Sequence, residues 1–311
     1  MALFSTIINK VSCGLAELLG TGLKFCKFDF RTPSVIALVQ KGLKILPGDD
    51  FNLAYVQALQ QQGKATILKG VVDFADNTPD NDRGTRAATG KMFTTLKHPY
   101  MWTFTFDNGL NFYKAITKLD SNEQYDIILF DTKGDVLMSM DAQGNGRGLD
   151  LGLLDTGKYV IGNENSQTIT VQVDRQNFDN TVSWITNENL DFNAGQDLDG
   201  YNDVELAMVA PANLATTVVF TVSAKSNNKL VPLEGLVVAD LLYQVDGVTV
   251  VPSLLTASAT IPGQYTLTVA ALATGDVLTL KLYDAVISPP ANIINMDGVM
   301  FKSNLATTTV L

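Results

Sequence analysis

Histidine is nearly absent: His98 is the only one in 311 residues. A single imidazole excludes every mechanism that needs two. Cysteine is scarce as well, with Cys13 and Cys26 alone. Two thiols thirteen positions apart, with no histidine near them, cannot complete a four-ligand zinc site, and they cannot form a disulfide scaffold. The reading is of free, buried thiols rather than a disulfide. Charge is thin: 17% of residues are Asp, Glu, Lys or Arg, against roughly 25% in an average soluble chain. No apolar run approaches the roughly 20 residues that span a bilayer. The first eight residues are apolar but lack the basic stretch that opens a secretory signal, and Asn9 and Lys10 interrupt them. The expected place of synthesis is a cytoplasm, with no membrane partner.

Apolar residues, by contrast, make up 46% of the chain. That is ample for a core and excludes disorder throughout. The length predicts two domains, or one large β domain with additions. The net charge of −10 is unevenly spread. Residues 1–46 carry Lys10, Lys24, Lys27, Arg31, Lys41 and Lys44 against Glu17 and Asp29, whereas residues 47–200 are strongly acidic. An acidic body repels nucleic acid. A basic arm on such a body suits docking between subunits, or is simply solvated.

The pattern predicts a mainly β fold with a minor helical part. Residues 1–46 read as an extended basic arm with a short strand at 35–39. Residues 47–190 read as the main β domain, sandwich-like or barrel-like, with one or two helices. Its first helix is expected after Asp49 or Asp50 as the cap, with Phe51, Ala54, Ala58 and Leu59 on one face and Gly63 at the end. A strand over 65–74 precedes a polar loop at 75–99, longer than ordinary connections and so mobile or an assembly contact. Asp107-Asn108-Gly109 predicts a hairpin turn after the half-buried strand 100–106. Residues 111–119 are taken as helix, and 125–130, 135–140 and 167–173 as strands. Residues 191–203, rich in Asn, Asp and Gly, read as a linker. Seven short strands over 204–287 fit an immunoglobulin-like β-sandwich, with Tyr265 placed to form a tyrosine corner. Residues 288–311 read as a C-terminal tail.

Candidate chemistry is sparse. Asp197, Asp199 and Asp203 lie in a run that resembles part of a calcium loop, but the full loop is missing and a solvated linker is the preferred reading. Gly144-Asn-Gly146-Arg-Gly148 has the look of a phosphate cradle without the Lys-Ser/Thr that follows one, and reads as a flexible loop. His98 shows no partner for base catalysis. Trp102, Phe104, Phe106, Phe112 and Tyr113 form the densest aromatic patch, which could be a glycan platform but at strand spacing reads as core. No catalytic, cofactor-binding or metal residue is assigned, no cofactor is expected, and the chain reads as a non-enzyme.

Three stretches, Leu68-Lys-Gly-Val-Val-Asp-Phe-Ala75, Tyr100-Met-Trp-Thr-Phe-Thr-Phe106 and Tyr125-Asp-Ile-Ile-Leu-Phe-Asp131, resemble structural proteins of phages of Bacteroidetes-type hosts. Gly263-Gln-Tyr-Thr-Leu-Thr-Val269 and Thr274-Gly-Asp-Val-Leu-Thr-Leu280 resemble the immunoglobulin-like modules often appended to phage tail-tube and capsid proteins. The resemblance covers about two thirds of the chain. It implies a self-assembling virion protein of a tailed bacteriophage, with the tail tube as the first reading. Its partners would be copies of itself in rings or a tube, other virion proteins, and DNA that passes without specific binding. A capsid-associated or connector role, or an exported adhesin that binds glycans, are the alternatives.

Overall fold

The computed structural model describes residues 3–8, 30–162, 167–226, 229–285 and 292–311. Cys13 and Cys26, and Lys10, Lys24 and Lys27 of the expected arm, lie outside the described residues. The fold is mainly β. Two compact units divide the chain, one of residues up to Gln57 with Lys64–Leu198, the other of Ala58–Gly63 with Asp199–Leu311.

In the first unit the strands are β1 (Pro33–Gln40), β2 (Ala65–Lys69), β3 (Val71–Asp76), β4 (Asp82–Thr85), β5 (Met92–Leu96), β6 (Tyr100–Phe106), β7 (Ser121–Asn122), β8 (Tyr125–Asp131), β9 (Val136–Met140), β10 (Gly146–Arg147), β11 (Leu149–Thr156), β12 (Gln167–Val173) and β13 (Val182–Ile185). All but β4 and β5 belong to one sheet, whose longest path runs β10-β9-β8-β11-β12-β6-β3. β11 is the corner. Leu149 and Asp150 pair with β8, then the register shifts between Leu151 and Leu153 and the rest of the strand pairs with β12. The two halves enclose one core, in which Ile36, Leu38, Ile127 and Leu129 meet Phe104, Phe106, Ile169 and Val171.

The expected arm is corrected here. β1 is a fully paired interior strand, bonded to β2 on one edge and β8 on the other, and Val35 to Val39 are all buried. Both β1 and β8 carry unbroken apolar runs because both of their faces are covered. Ile36 and Leu38 face the common core, while Phe130 on the opposite face of β8 stands 6.4 Å from the Phe192 ring, itself 6.2 Å from Phe51. Phe192, Ala194 and Leu198 are buried, so residues expected to form a bare linker instead help to cover the sheet.

Two local expectations also change. Helix α1 (Leu53–Gln61) is capped by Asn52, whose Oδ1 accepts the Tyr55 amide at 2.8 Å, rather than by Asp49 or Asp50. Asp107-Asn108-Gly109 makes no hairpin. Gly109, at φ +77°, opens helix α2 (Gly109–Ile116) because the buried Gln167 side chain accepts the amides of both Asn108 and Gly109, at 2.8 and 3.1 Å. Phe112 then packs 5.0 Å from Phe106. The loop expected at 75–99 is a hairpin of β4 and β5 that pair only with each other among the described residues.

The second unit is a two-sheet β-sandwich. Its strands are β14 (Asn202–Met208), β15 (Thr217–Ser226), β16 (Lys229–Pro232), β17 (Leu241–Val245), β18 (Val248–Thr249), β19 (Leu254–Ala257), β20 (Gln264–Thr268), β21 (Val277–Leu282), β22 (Ile293–Met296), β23 (Val299–Ser303) and β24 (Ala306–Thr309). One sheet runs β19-β20-β15-β14-β23-β22 with β16 beside β15, and the other β18-β17-β21-β24. Phe220, Val222, Tyr243, Tyr265, Leu267, Leu278 and Leu280 fill the space between them. The expected C-terminal tail is corrected: β23 pairs in parallel with β14, β24 closes one edge of the smaller sheet, and Val310 is buried.

Candidate functional site

A part-buried ion cluster forms where the end of β1 meets β8 and β11, apart from the buried Asp131 and Asp135 at the far end of β8. Lys41 Nζ donates to the Leu151 carbonyl at 2.9 Å and to the Asp150 carboxylate, and stands 3.6 Å from Asp126 Oδ1. Asp126 is buried, and its Oδ2 accepts the Gly42 amide at 2.9 Å. Burial pulls the Lys41 ammonium toward neutrality, but the hydrogen bond and charge of Asp150, helped by Asp126, outweigh it and raise its pKa. Burial raises the Asp126 carboxyl, against the Gly42 amide and the Lys41 charge. The same contacts favour the charged form of Lys41 and engage its protons with the protein's own acceptors. The cluster is a clamp on three strands. Gly148 makes it possible, because a Cβ there would lie 2.5 Å from the Asp126 Cβ and 2.9 Å from the Ile127 nitrogen.

A cleft of about 570 Å³ opens beside Lys41, lined by Asp150, Gly152, Gln172, Asp174, Arg175 and Gln176 among others. Its charges are mixed. Arg175 stacks 5.1 Å above the Tyr100 ring and pairs with Asp179, and Asp174 caps the helix Arg175–Thr181. These groups answer one another within the first unit.

The glycine-rich loop is organised rather than flexible. Asp141 Oδ1 accepts the amides of Gln143 and Asn145, the Asn145 side chain donates to both carboxylate oxygens, and Arg147 donates to Oδ2 at 2.8 Å. These bonds, the Asn145 side chain first, hold the Asp141 carboxyl down at about 2. The protein's own carboxylate thus takes the donors that a phosphate cradle would offer.

Asp197 accepts the Asn193 amide at 2.7 Å and closes a single helical turn, Ala194–Asp197. Asp203 lies at the exposed start of β14, and the described residues contain no group of three or more side chains placed to hold a metal ion. His98 Nε2 lies 3.3 Å from Asp82 Oδ1 at the base of the β4–β5 hairpin. Trp102, Phe104 and Phe106 are core, with Phe112 and Tyr113 packed against that core.

Among the described residues of the first unit, two surfaces group several apolar side chains near solvent. On the hairpin every residue of β5 is exposed, with Met92 at 64%, Phe93 at 44% and Leu96 at 51%. At the mouth of the main core lies a cavity of about 340 Å³ lined by Phe30, Pro33, Phe74, Trp102, Leu129 and Leu137, with Arg31 and Asp76 at its edge. No protein-family model matches the chain, and no curated protein matches it.

Proposed function

We propose that this chain is a self-assembling structural subunit of a tailed-phage virion, with the tail tube, the conduit for DNA, as its place. The observation that carries the reading is the β4–β5 hairpin, which leaves the first unit with three large apolar side chains in solvent. An isolated two-stranded hairpin has little stability of its own, and exposed apolar surface of this kind marks contact with another molecule. The second unit supports the same reading. Its sandwich closes on its own core, and Tyr265 binds upstream backbone as in immunoglobulin-like modules. The acidic balance suits a wall along which DNA slides, since each fixed cation facing phosphate would add affinity and slow passage.

Electron microscopy of the purified full chain tests the proposal. Rings or tubes are the expected result. Monodisperse monomers that bind a glycan array would replace it with the adhesin reading.

A further inference from the structure

The hairpin has a chemistry of its own within the acidic chain. Residues 82–97 contain Arg83, Arg86, Lys91 and Lys97 against Asp82, a net +3, so the rest of the chain carries −13. The register pairs Arg83 with Thr94, Gly84 with Phe93 and Thr85 with Met92. Side chains alternate between faces along a strand. Phe93 and Thr95 both lie over Gly84 on one face, with Arg86 5.8 Å from the Phe93 ring centre, which leaves Met92 and Leu96 on the other face with Arg83; Asp82 pairs with Leu96 across a register shift. One face thus offers two exposed apolar side chains and a cation to whatever covers it.

A complementary surface exists on the same unit. Among the described residues, β3 is bonded to a neighbouring strand along one edge only, that of β6. Val72 is 52% exposed, and Asp73 and Asp76 flank it in solvent. Beside them the cavity at Phe74, Trp102, Leu129 and Leu137 has the volume of a small-ligand pocket. Asp73 and Asp76 outnumber the single cation Arg31 around this edge, and with the apolar hollow behind them they match the cation and apolar side chains of the hairpin.

We infer that the Arg83–Met92–Leu96 face of one copy docks on the β3 edge of a second copy, with Met92 entering the cavity beside Phe74. Methionine suits this role, being unbranched and able to fill an irregular hollow. Donor and acceptor are different surfaces of one chain, so each copy gives a hairpin and receives one. A contact of this head-to-tail kind propagates into rings when its rotation closes and into filaments when it does not. The inference rests on the assembly reading above and names the surfaces that mediate it.

The test places a photo-crosslinking amino acid at position 92 of the full chain, mixed with isotopically labelled full chain so that bonds between copies are distinguished from bonds within one. Crosslinks between copies, mapped to residues 72–76 or to the lining of the cavity, are expected. Arg83→Glu should abolish assembly seen by electron microscopy, and Arg83→Glu with Asp73→Lys in the same chain should restore it. Circular dichroism of both variants should match that of the parent, because neither side chain is part of the core. Rings or tubes with crosslinks elsewhere, or within one copy only, overturn this inference and leave the assembly reading standing. A full chain that stays monomeric overturns both. Loss of duplex DNA binding by Arg83→Glu with unchanged assembly would assign the hairpin to nucleic acid and reject a second copy as its partner.

Discussion

The Tyr265 hydroxyl donates a 2.9 Å hydrogen bond to the Leu233 carbonyl, and accepts the Leu236 amide at 3.4 Å. Two backbone groups of the segment between β16 and β17 are thereby satisfied by one side chain that is itself 2% exposed. The turn before Tyr265 is shaped for the same contact. Gly263 has φ +72°, and a Cβ there would lie 2.6 Å from the Val222 carbonyl oxygen.

Tyr265→Phe keeps the ring against Phe220, 5.5 Å away, and removes only the hydroxyl. It leaves the Leu233 carbonyl without that donor. The expected cost is about 1–3 kcal/mol, as for a buried polar group that loses its partner. Chemical denaturation of the full chain, followed by a probe in the second unit, would show it. An unchanged midpoint would refute the role.

Lys41→Met deletes the cation between Asp126 and Asp150. Removing one partner of a fully buried pair costs about 3–5 kcal/mol. The Lys41 side chain is 36% exposed, so solvent screening reduces the expected loss in the first unit to about 1–2 kcal/mol. The folded-state pKa of Lys41 lies above its ordinary 10.5. Its contribution is therefore complete below pH 10.5 and lost as pH rises through the raised value. The stability gap between parent and variant should be constant from pH 7 to 9 and close under stronger alkali; a gap that widens there would contradict the ion pair.

Asp141→Ala unlocks the loop before β10. The carboxyl is held at about 2 in the folded chain, against 3.8 ordinarily, so its stabilisation is present above pH 3.8 and disappears as pH falls to about 2. Parent and variant should differ in thermal midpoint at pH 7 and converge near pH 2. A difference that is independent of pH would mean that the loop is held by something other than the carboxylate.

Limited trypsin digestion of the unassembled chain should, among the described residues, cut first at Arg86 or Lys91. These flank the hairpin turn, where the Arg86 amide binds the Lys91 carbonyl at 2.9 Å and Gly90 has φ +64°. Exposed loop tips are the preferred sites of nicking. Proteinase K, which needs no basic residue, should likewise spare residues 192–198, because Phe192, Ala194 and Leu198 are buried. A first cut at Lys133, next to the tightly bonded Asp131 turn, would reject this order of stability.

Much of the strand content was legible because it has a local cause. In β12, Ile169, Val171 and Val173 alternate with Thr170 and Gln172, and burial follows the same period. The Tyr265 corner was legible for the same reason, a tyrosine two positions after the turn glycine Gly263 at a strand start. The clamp was not. Lys41 lies 109 positions before Asp150, and no local pattern marks either residue as a partner of the other.

The sequence by itself determined the mainly β character, a helix between Phe51 and Gly63, a helix within residues 111–119, and the approximate places of the second unit's strands from β14 to β21 except β16. Each of these depends on periodicity, branching and turn residues within a few positions. Only the tertiary structure decided that residues 33–40 are an interior strand rather than an arm, since burial of both faces requires β2, β8 and a covering layer from distant parts of the chain. It also decided that Asp107-Asn108-Gly109 begins a helix. There a glutamine almost sixty positions away supplies the acceptor for two amides, and a local preference for a turn gives way to a buried hydrogen bond.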